Sequence, residues 1–113
     1  MIFDVVIPTY NNLHELQACL YGLEAQTIQD FRVWVCVDGS TDGTSEWLCH
    51  TSLALNLTVL EHDDGQNHGR SETRNLALTR LEAPLLVLID SDIQPSPQFL
   101  QAHYDFLKVH HHQ

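Results

Sequence analysis

Hydrophobic and polar positions along the chain switch between two periods. Phe3 to Ile7 is a short, largely β-branched run closed by Pro8, and it reads as a buried strand. Asn12, with Glu15 three residues later, has the form of a capping box. Behind it Leu13, Leu16, Leu20 and Leu23 recur at helical spacing, which predicts a helix to about Gln26. Phe31 to Val37 is a second strand, ended by the turn-forming residues Asp38 to Gly43. A helix from about Thr44 to Leu53 follows, with Trp47 and Leu48 facing inward. Asn56 to Leu60 predicts a third strand, and Glu61 to Gly69 a polar loop. The next helix spans about Arg70 to Leu81, with Leu76, Ala77 and Leu81 inward. Pro84 to Ile89 reads as a fourth strand, apolar on both faces as a strand covered by helices is. Ser96 as N-cap and Pro97 at the first helical position open a last helix carrying Phe99, Leu100, His103, Phe106 and Leu107.

This rhythm, βαβαβαβα with no long linker or repeat, predicts an α/β fold with a parallel sheet and right-handed crossovers. The 113 residues fit one domain over 1–109, followed by a His-rich tail at 110–113 that is set aside from metal reasoning.

Fifteen acidic residues against five basic ones give a formal charge of −10. A partner held by bulk charge, such as nucleic acid or an anionic membrane, is disfavoured. A phosphate ligand needs a local device instead: a helix N-terminus, an Arg or a metal. Asp4 interrupts the apolar start, so no targeting signal is read there. The run Leu85 to Ile89 is too short to span a bilayer. Cys19, Cys36 and Cys49 are odd in number and show no C-x-x-C pairing. They read as reduced thiols packed as small hydrophobes, which points to a cytoplasmic location.

Ligands of open α/β sheets bind beyond the carboxyl ends of the strands, where the strand order reverses. Three such ends carry unusual polar residues: Pro8-Thr9-Tyr10-Asn11, Asp38-Gly39-Ser40 and Asp90-Ser91-Asp92. With strands two, one and four adjacent, these ends span ~10 Å, about the length of a nucleoside. Asp90 and Asp92 point the same way if the strand stays extended, and such a pair suits Mg or Mn. Each feature also has a plainer reading. Asp38-Gly39 makes a tight turn, Asp42 an N-cap for the next helix, Asp90-Ser91-Asp92 a solvated turn, and Arg70 with Arg74 a pair of surface charges. Their conjunction on one side of one sheet favours a site.

Several familiar constellations are absent. No G-x-G-x-x-G follows the first strand, the Gly39 to Ser45 segment lacks a P-loop Lys, and no G-x-S-x-G occurs. Asp90-Ser91-Asp92 departs from the aspartyl loop of haloacid-dehalogenase-type phosphatases at Gln94. A receiver domain needs paired acids after the first strand, where Pro8 and Thr9 stand.

Four ordered motifs carry a positive match. Val5-Val6-Ile7-Pro8-Thr9-Tyr10-Asn11-Asn12 and Val37-Asp38-Gly39-Ser40-Thr41-Asp42-Gly43-Thr44 resemble the opening of family 2 glycosyltransferases. Asn67-His68-Gly69-Arg70-Ser71-Glu72-Thr73-Arg74-Asn75 resembles that family's segment ending in Ala-Arg-Asn, with Thr73 in place of Ala. Leu88-Ile89-Asp90-Ser91-Asp92 resembles its D-x-D element, and the likeness covers essentially the whole chain.

The resemblance implies the nucleotide-binding half of a GT-A fold, strand order 3-2-1-4, acting on a nucleotide-diphosphate sugar with Mg or Mn by an inverting displacement. By the same resemblance, Pro8, Thr9 and Tyr10 line the base pocket, and Asn11 and Gly39 complete the substrate-binding set. Asp38 accepts the N3–H of a uracil or thymine, so a UDP- or dTDP-type donor is favoured. Arg74 lies near base and diphosphate, Asp90 reaches the ribose hydroxyls, and Asp92 ligates the metal. A diphosphate ~6 Å from a bare carboxylate is repelled by ~3 kcal/mol per unit charge pair at an effective dielectric of 20. A bridging dication reverses that sign.

Relatives of this kind continue past the D-x-D element into an acceptor-binding half with the general base. This chain is therefore expected to lack both, and Glu72 and Asp105 match no such position. The competing function class is a non-catalytic α/β module of receiver or nucleotide-sensing type. With strand four at one side of the sheet, Leu85 to Ile89 form an apolar edge, which predicts a homodimer through it.

Overall fold

The computed structural model describes residues 1–111, with side chains as far as Leu107. The elements are β1 Phe3–Thr9, α1 Leu13–Glu24, β2 Phe31–Val37, α2 Thr44–His50, β3 Asn56–Glu61, α3 Arg70–Leu78, β4 Leu85–Leu88 and α4 Phe99–His111. Their sheet is parallel throughout, in the order β3-β2-β1-β4, as expected.

Two apolar layers hold it together. Phe3, Val5 and Ile7 pair in register with Phe31, Val33 and Val35. Their row packs with Leu16, Leu20 and Leu23 of α1, Leu48 of α2 and Leu100 of α4. Val6, Trp34 and Cys36 face the other way, where α3 covers them with Ala77, and Leu76 and Leu81 close the edge. Both layers are set by the period-two alternation of β1 and β2.

β1 does not stop before Pro8 but runs to Thr9. The Val6 carbonyl accepts from Ile89 on the β4 side, and that of Thr9 accepts from Asp38 on the β2 side. Alternation thus turns the amide-less nitrogen of Pro8 toward β4, past Leu88 where β4 has ended. No ladder bond is lost there.

Other boundaries shift for identifiable reasons. The capping box does not form, because Asn12 makes no side-chain cap and instead donates to Ser91 Oγ at 3.4 Å. α1 ends at Glu24, freeing Gln26 to turn inward. Its Nε2 donates to the carbonyls of Gly22 and Ser96, and its Oε1 accepts the amide of Leu100 at 2.9 Å. Gln26 thereby does the capping expected of Ser96, and α4 begins at Phe99. α2 ends at His50, where Thr51 turns extended.

α3 ends at Leu78 rather than Leu81. Beyond it, buried Asp4 accepts the amides of Glu82 and Ala83, both at 2.8 Å, and draws the chain into β4. β4 is shorter than expected and covered on one face only. Val87 is buried, but Leu86 and Leu88 are 42% and 47% exposed. Helix α3 lies over the other three strands and leaves those two side chains uncovered. α4 continues to His111; residues 112–113 of the tail lie outside the described residues. Among the described residues no helix is long and apolar enough to cross a membrane.

Candidate functional site

A cleft of about 290 Å³ opens at the carboxyl ends of β1, β2 and β4. Pro8, Thr9, Tyr10, Asp38, Asp90 and Asp92 line it, together with Asn12, Asn67, Arg70 and Ser91. The first six are residues that the motifs single out. Asn12, Asn67 and Ser91 appear within the motifs, which give them no site role of their own.

β1 delivers Thr9 at the floor, 3% exposed, and Tyr10 at the rim, 50% exposed. Thr9 Oγ1 is buried without a hydrogen-bond partner, as is Arg74 Nε. An unpaired buried hydroxyl is costly, and few such groups occur in a folded domain.

β2 delivers Asp38, 5% exposed, whose carboxylate organises the loop before α3. Oδ1 accepts the His68 amide at 2.6 Å, while Oδ2 accepts from Asn67 Nδ2 at 3.0 Å and the Gly69 amide at 3.1 Å. Gly39 makes the close approach of this loop feasible. With φ +70, it places its Cα where an added Cβ would lie 2.6 Å from Asn67 N. Gly39 therefore shapes the site from beneath.

Asn11 likewise stays out of the cleft. Its φ of 48 is left-handed, a conformation Asn tolerates when its amide bonds locally. Its N–H donates to Ser40 Oγ at 3.0 Å and its Oδ1 accepts the Thr41 amide at 2.7 Å. Asn11 is a clasp between the β1 and β2 loops.

Beyond β4 the backbone does not stay extended. Asp90 opens a turn, its carbonyl accepting the Ile93 amide at 3.1 Å, yet both Asp90 and Asp92 still reach the cleft wall. Asp90 Oδ1 lies 3.7 Å from Arg70 Nη1 and 3.7 Å from Arg74 Nη2. The two Arg, one turn apart on α3, thus converge on one carboxylate and put cationic charge beside it. Arg74 stands behind Asp90, outside the cleft lining. Asp92 is exposed. Among the described residues no three His, Cys, Asp or Glu side chains form a metal-holding set. A divalent cation beside Asp92 would complete its oxygen shell with water or ligand oxygens, as Mg commonly does.

Comparison with known proteins agrees with this geometry. The family model of glycosyl transferase family 2 matches residues 4–113. The glycosyltransferase AglE of Haloferax volcanii is 34% identical over 101 residues, 87% of this chain and 33% of AglE. The crystal structure of Staphylococcus aureus TarS 1–349 superimposes with a TM-score of 0.86 at 32% identity, over 98% of this chain and 33% of that one. TarS 1–349 has also been solved in complex with UDP-GlcNAc. The mannosyltransferase PcManGT of Pyrobaculum calidifontis, in complex with GDP-Man and Mn2+, gives 0.79 at 27% identity, over 93% of this chain and 32% of that one. The chain thus spans about a third of the length of these relatives. Motif order, sheet order and a family match over nearly every residue lead to one conclusion: the chain belongs to glycosyl transferase family 2.

Proposed function

We propose that this chain binds a nucleoside-diphosphate sugar with a divalent cation, as the donor half of an inverting glycosyltransferase. The observation that carries the reading is the cleft itself. It joins buried Thr9, two carboxylate-bearing strand ends and Arg70 at the place where α/β sheets bind nucleotides. The UDP-GlcNAc and GDP-Man complexes of the TarS and PcManGT structures support it.

In this reading Pro8, Thr9 and Tyr10 surround a uracil or thymine base, and Asp38 faces its N3–H. Asp90 takes the ribose hydroxyls, and Arg70 and Arg74 offset diphosphate charge. Asp92 would be the carboxylate that holds Mg or Mn. The cation supplies charge neutralisation of the departing diphosphate. Calorimetry with UDP, with and without Mn, tests the proposal. Binding should be strong with the metal and at least tenfold weaker in EDTA or with Asp92→Ala. Equal affinity in EDTA overturns the metal role, and no binding of UDP in either condition overturns the nucleotide role.

No residue here is nominated as general base, and the isolated chain is proposed to transfer no sugar to an acceptor. Robust transfer by the purified chain would disprove this. A cytoplasmic location is proposed with it. Leu86 and Leu88, half-exposed on edge strand β4, support association of two copies through that edge. Sedimentation at micromolar concentration decides it, and a clean monomer rejects the dimer.

A further inference from the structure

Thr73 is completely buried in α3, yet its hydroxyl has a partner. Oγ1 lies 2.9 Å from Nε2 of His62, which stands just past the end of β3. The same Nε2 is 3.4 Å from Asp38 Oδ1, and the two side chains are only 9% and 6% exposed. The His68 ring lies against that of His62, centroids 4.1 Å apart, and closes the other side.

One ring nitrogen therefore meets two oxygens of different character. The hydroxyl of Thr73 both donates and accepts, whereas the carboxylate of Asp38 only accepts. With its proton on Nε2, His62 attracts Asp38 and shares a hydrogen bond with Thr73. With its proton on Nδ1, a lone pair faces the carboxylate and repels it. The charge of the carboxylate favours the first arrangement. The hydrogen bonds to this carboxylate come from residues 67–69. His62, just past β3, adds a charge contact from a second segment of the chain, at the oxygen that also accepts the His68 amide.

We propose that His62, steadied by Thr73, is a positioning residue that aims the Asp38 carboxylate into the cleft and so sets base selectivity. This rests on the nucleotide-binding reading above. A uracil base offers an N3–H to that carboxylate, whereas cytosine offers a lone pair. A well-aimed Asp38 therefore favours UDP over CDP.

The test compares His62→Leu, His62→Gln and Thr73→Val with the parent chain, by calorimetry with UDP, CDP and inorganic pyrophosphate, and by amide exchange without ligand. Gln keeps an N–H donor near the place of Nε2. His62→Leu should lower UDP affinity and the UDP-over-CDP preference about tenfold, leave pyrophosphate unchanged and speed exchange of the His68 and Gly69 amides. His62→Gln should restore most of this, and Thr73→Val should show part of the loss. An unchanged UDP-to-CDP ratio in His62→Leu, or an equal loss for UDP and pyrophosphate, overturns the proposal. If the parent chain binds neither nucleotide, the nucleotide reading itself fails. Amide exchange then decides the positioning role alone: no acceleration in His62→Leu refutes it, and acceleration reversed by Gln upholds it.

Discussion

Asp42 Oδ2 accepts the main-chain amide of Leu13 at 3.0 Å, closing the first turn of α1 from a loop 29 residues further along the chain. Its other oxygen accepts the amide of Thr44 at 3.2 Å and the Thr44 hydroxyl at 2.5 Å. One carboxylate thus serves the N-termini of both α1 and α2, and with the Asn11 clasp it locks the β1 and β2 loops that frame the cleft.

Replacing Asp42 should therefore cost more than an ordinary surface change. Asp42→Ala is expected to lose about 1–2 kcal/mol for each helix end, and Asp42→Asn clearly less, as read by urea unfolding. Partial burial pushes the Asp42 carboxyl up, but the hydrogen bonds from Thr44 and Leu13 outweigh it and hold the group below its ordinary value. A depressed carboxyl contributes stability above its unfolded value and loses it as pH falls through the folded one. The difference between wild type and Asp42→Ala should shrink in acid below about pH 4. A constant difference down to strong acid would show that the charge plays no part.

Asp4 makes a second, more deeply buried junction. Oδ1 accepts Trp34 Nε1–H at 2.8 Å, while Oδ2 takes the amides of Glu82 and Ala83. Burial raises its carboxyl, but these donors, helped by Arg32, bring it below the ordinary value. Asp4→Ala would strand three donors and should destabilise the fold by about 3 kcal/mol, with the β4 amides exchanging first. A loss under about 1 kcal/mol would mean that water replaces the carboxylate at no great cost.

The loop before α3 should loosen as His68 loses its proton. His68 Nε2 is 2.8 Å from Asp64 and its Nδ1 is 2.8 Å from Glu72, so the imidazolium bridges the loop to the helix. The hydrogen bond to Asp64, then that to Glu72, raises His68 above its usual value. The Gln66 amide and His68 hold Asp64 below its own. A raised His contributes fully below its unfolded value and loses that contribution as pH rises through the folded one. Exchange of the 64–69 amides should speed up as pH rises above the ordinary histidine value, beyond the intrinsic base catalysis, and His68→Gln should abolish that step. An identical pH profile in wild type and variant counts against the bridge.

Thiol chemistry should single out one cysteine. Cys19 and Cys36 are buried and Cys49 is exposed, all three without a disulfide. Burial, with the Asp92 charge adding to it, pushes the Cys19 thiol up to about 12, and burial pushes Cys36 up to about 11. A thiol reagent at neutral pH should modify Cys49 alone in the folded chain and all three after unfolding. Fast labelling of Cys36 would reveal opening of the layer beneath α3.

By itself the chain determined its period-two strands, its helical stripes, the parallel α/β class and the candidacy of the three polar strand ends. These are local properties, set by neighbours a few residues apart, and Asp38, Asp90 and Asp92 were legible for that reason. Only the tertiary structure decided which polar residue serves which end. Asn12 has the letters of a cap, yet Asp42 does the capping, because the sheet brings two loops together and a carboxylate satisfies two amides where Asn12 satisfies none. Asp4 and Gln26 carried no motif, yet each is buried because a long-range amide needs it. His62 showed nothing in the sequence either; its contact with Asp38 arises because β3 and β2 end side by side and α3 packs Thr73 against both. The uncovered face of β4 was hidden for the same reason. A run of five apolar residues reads as doubly buried, but burial is settled by how far α3 reaches across the sheet, and it packs chiefly on the other three strands.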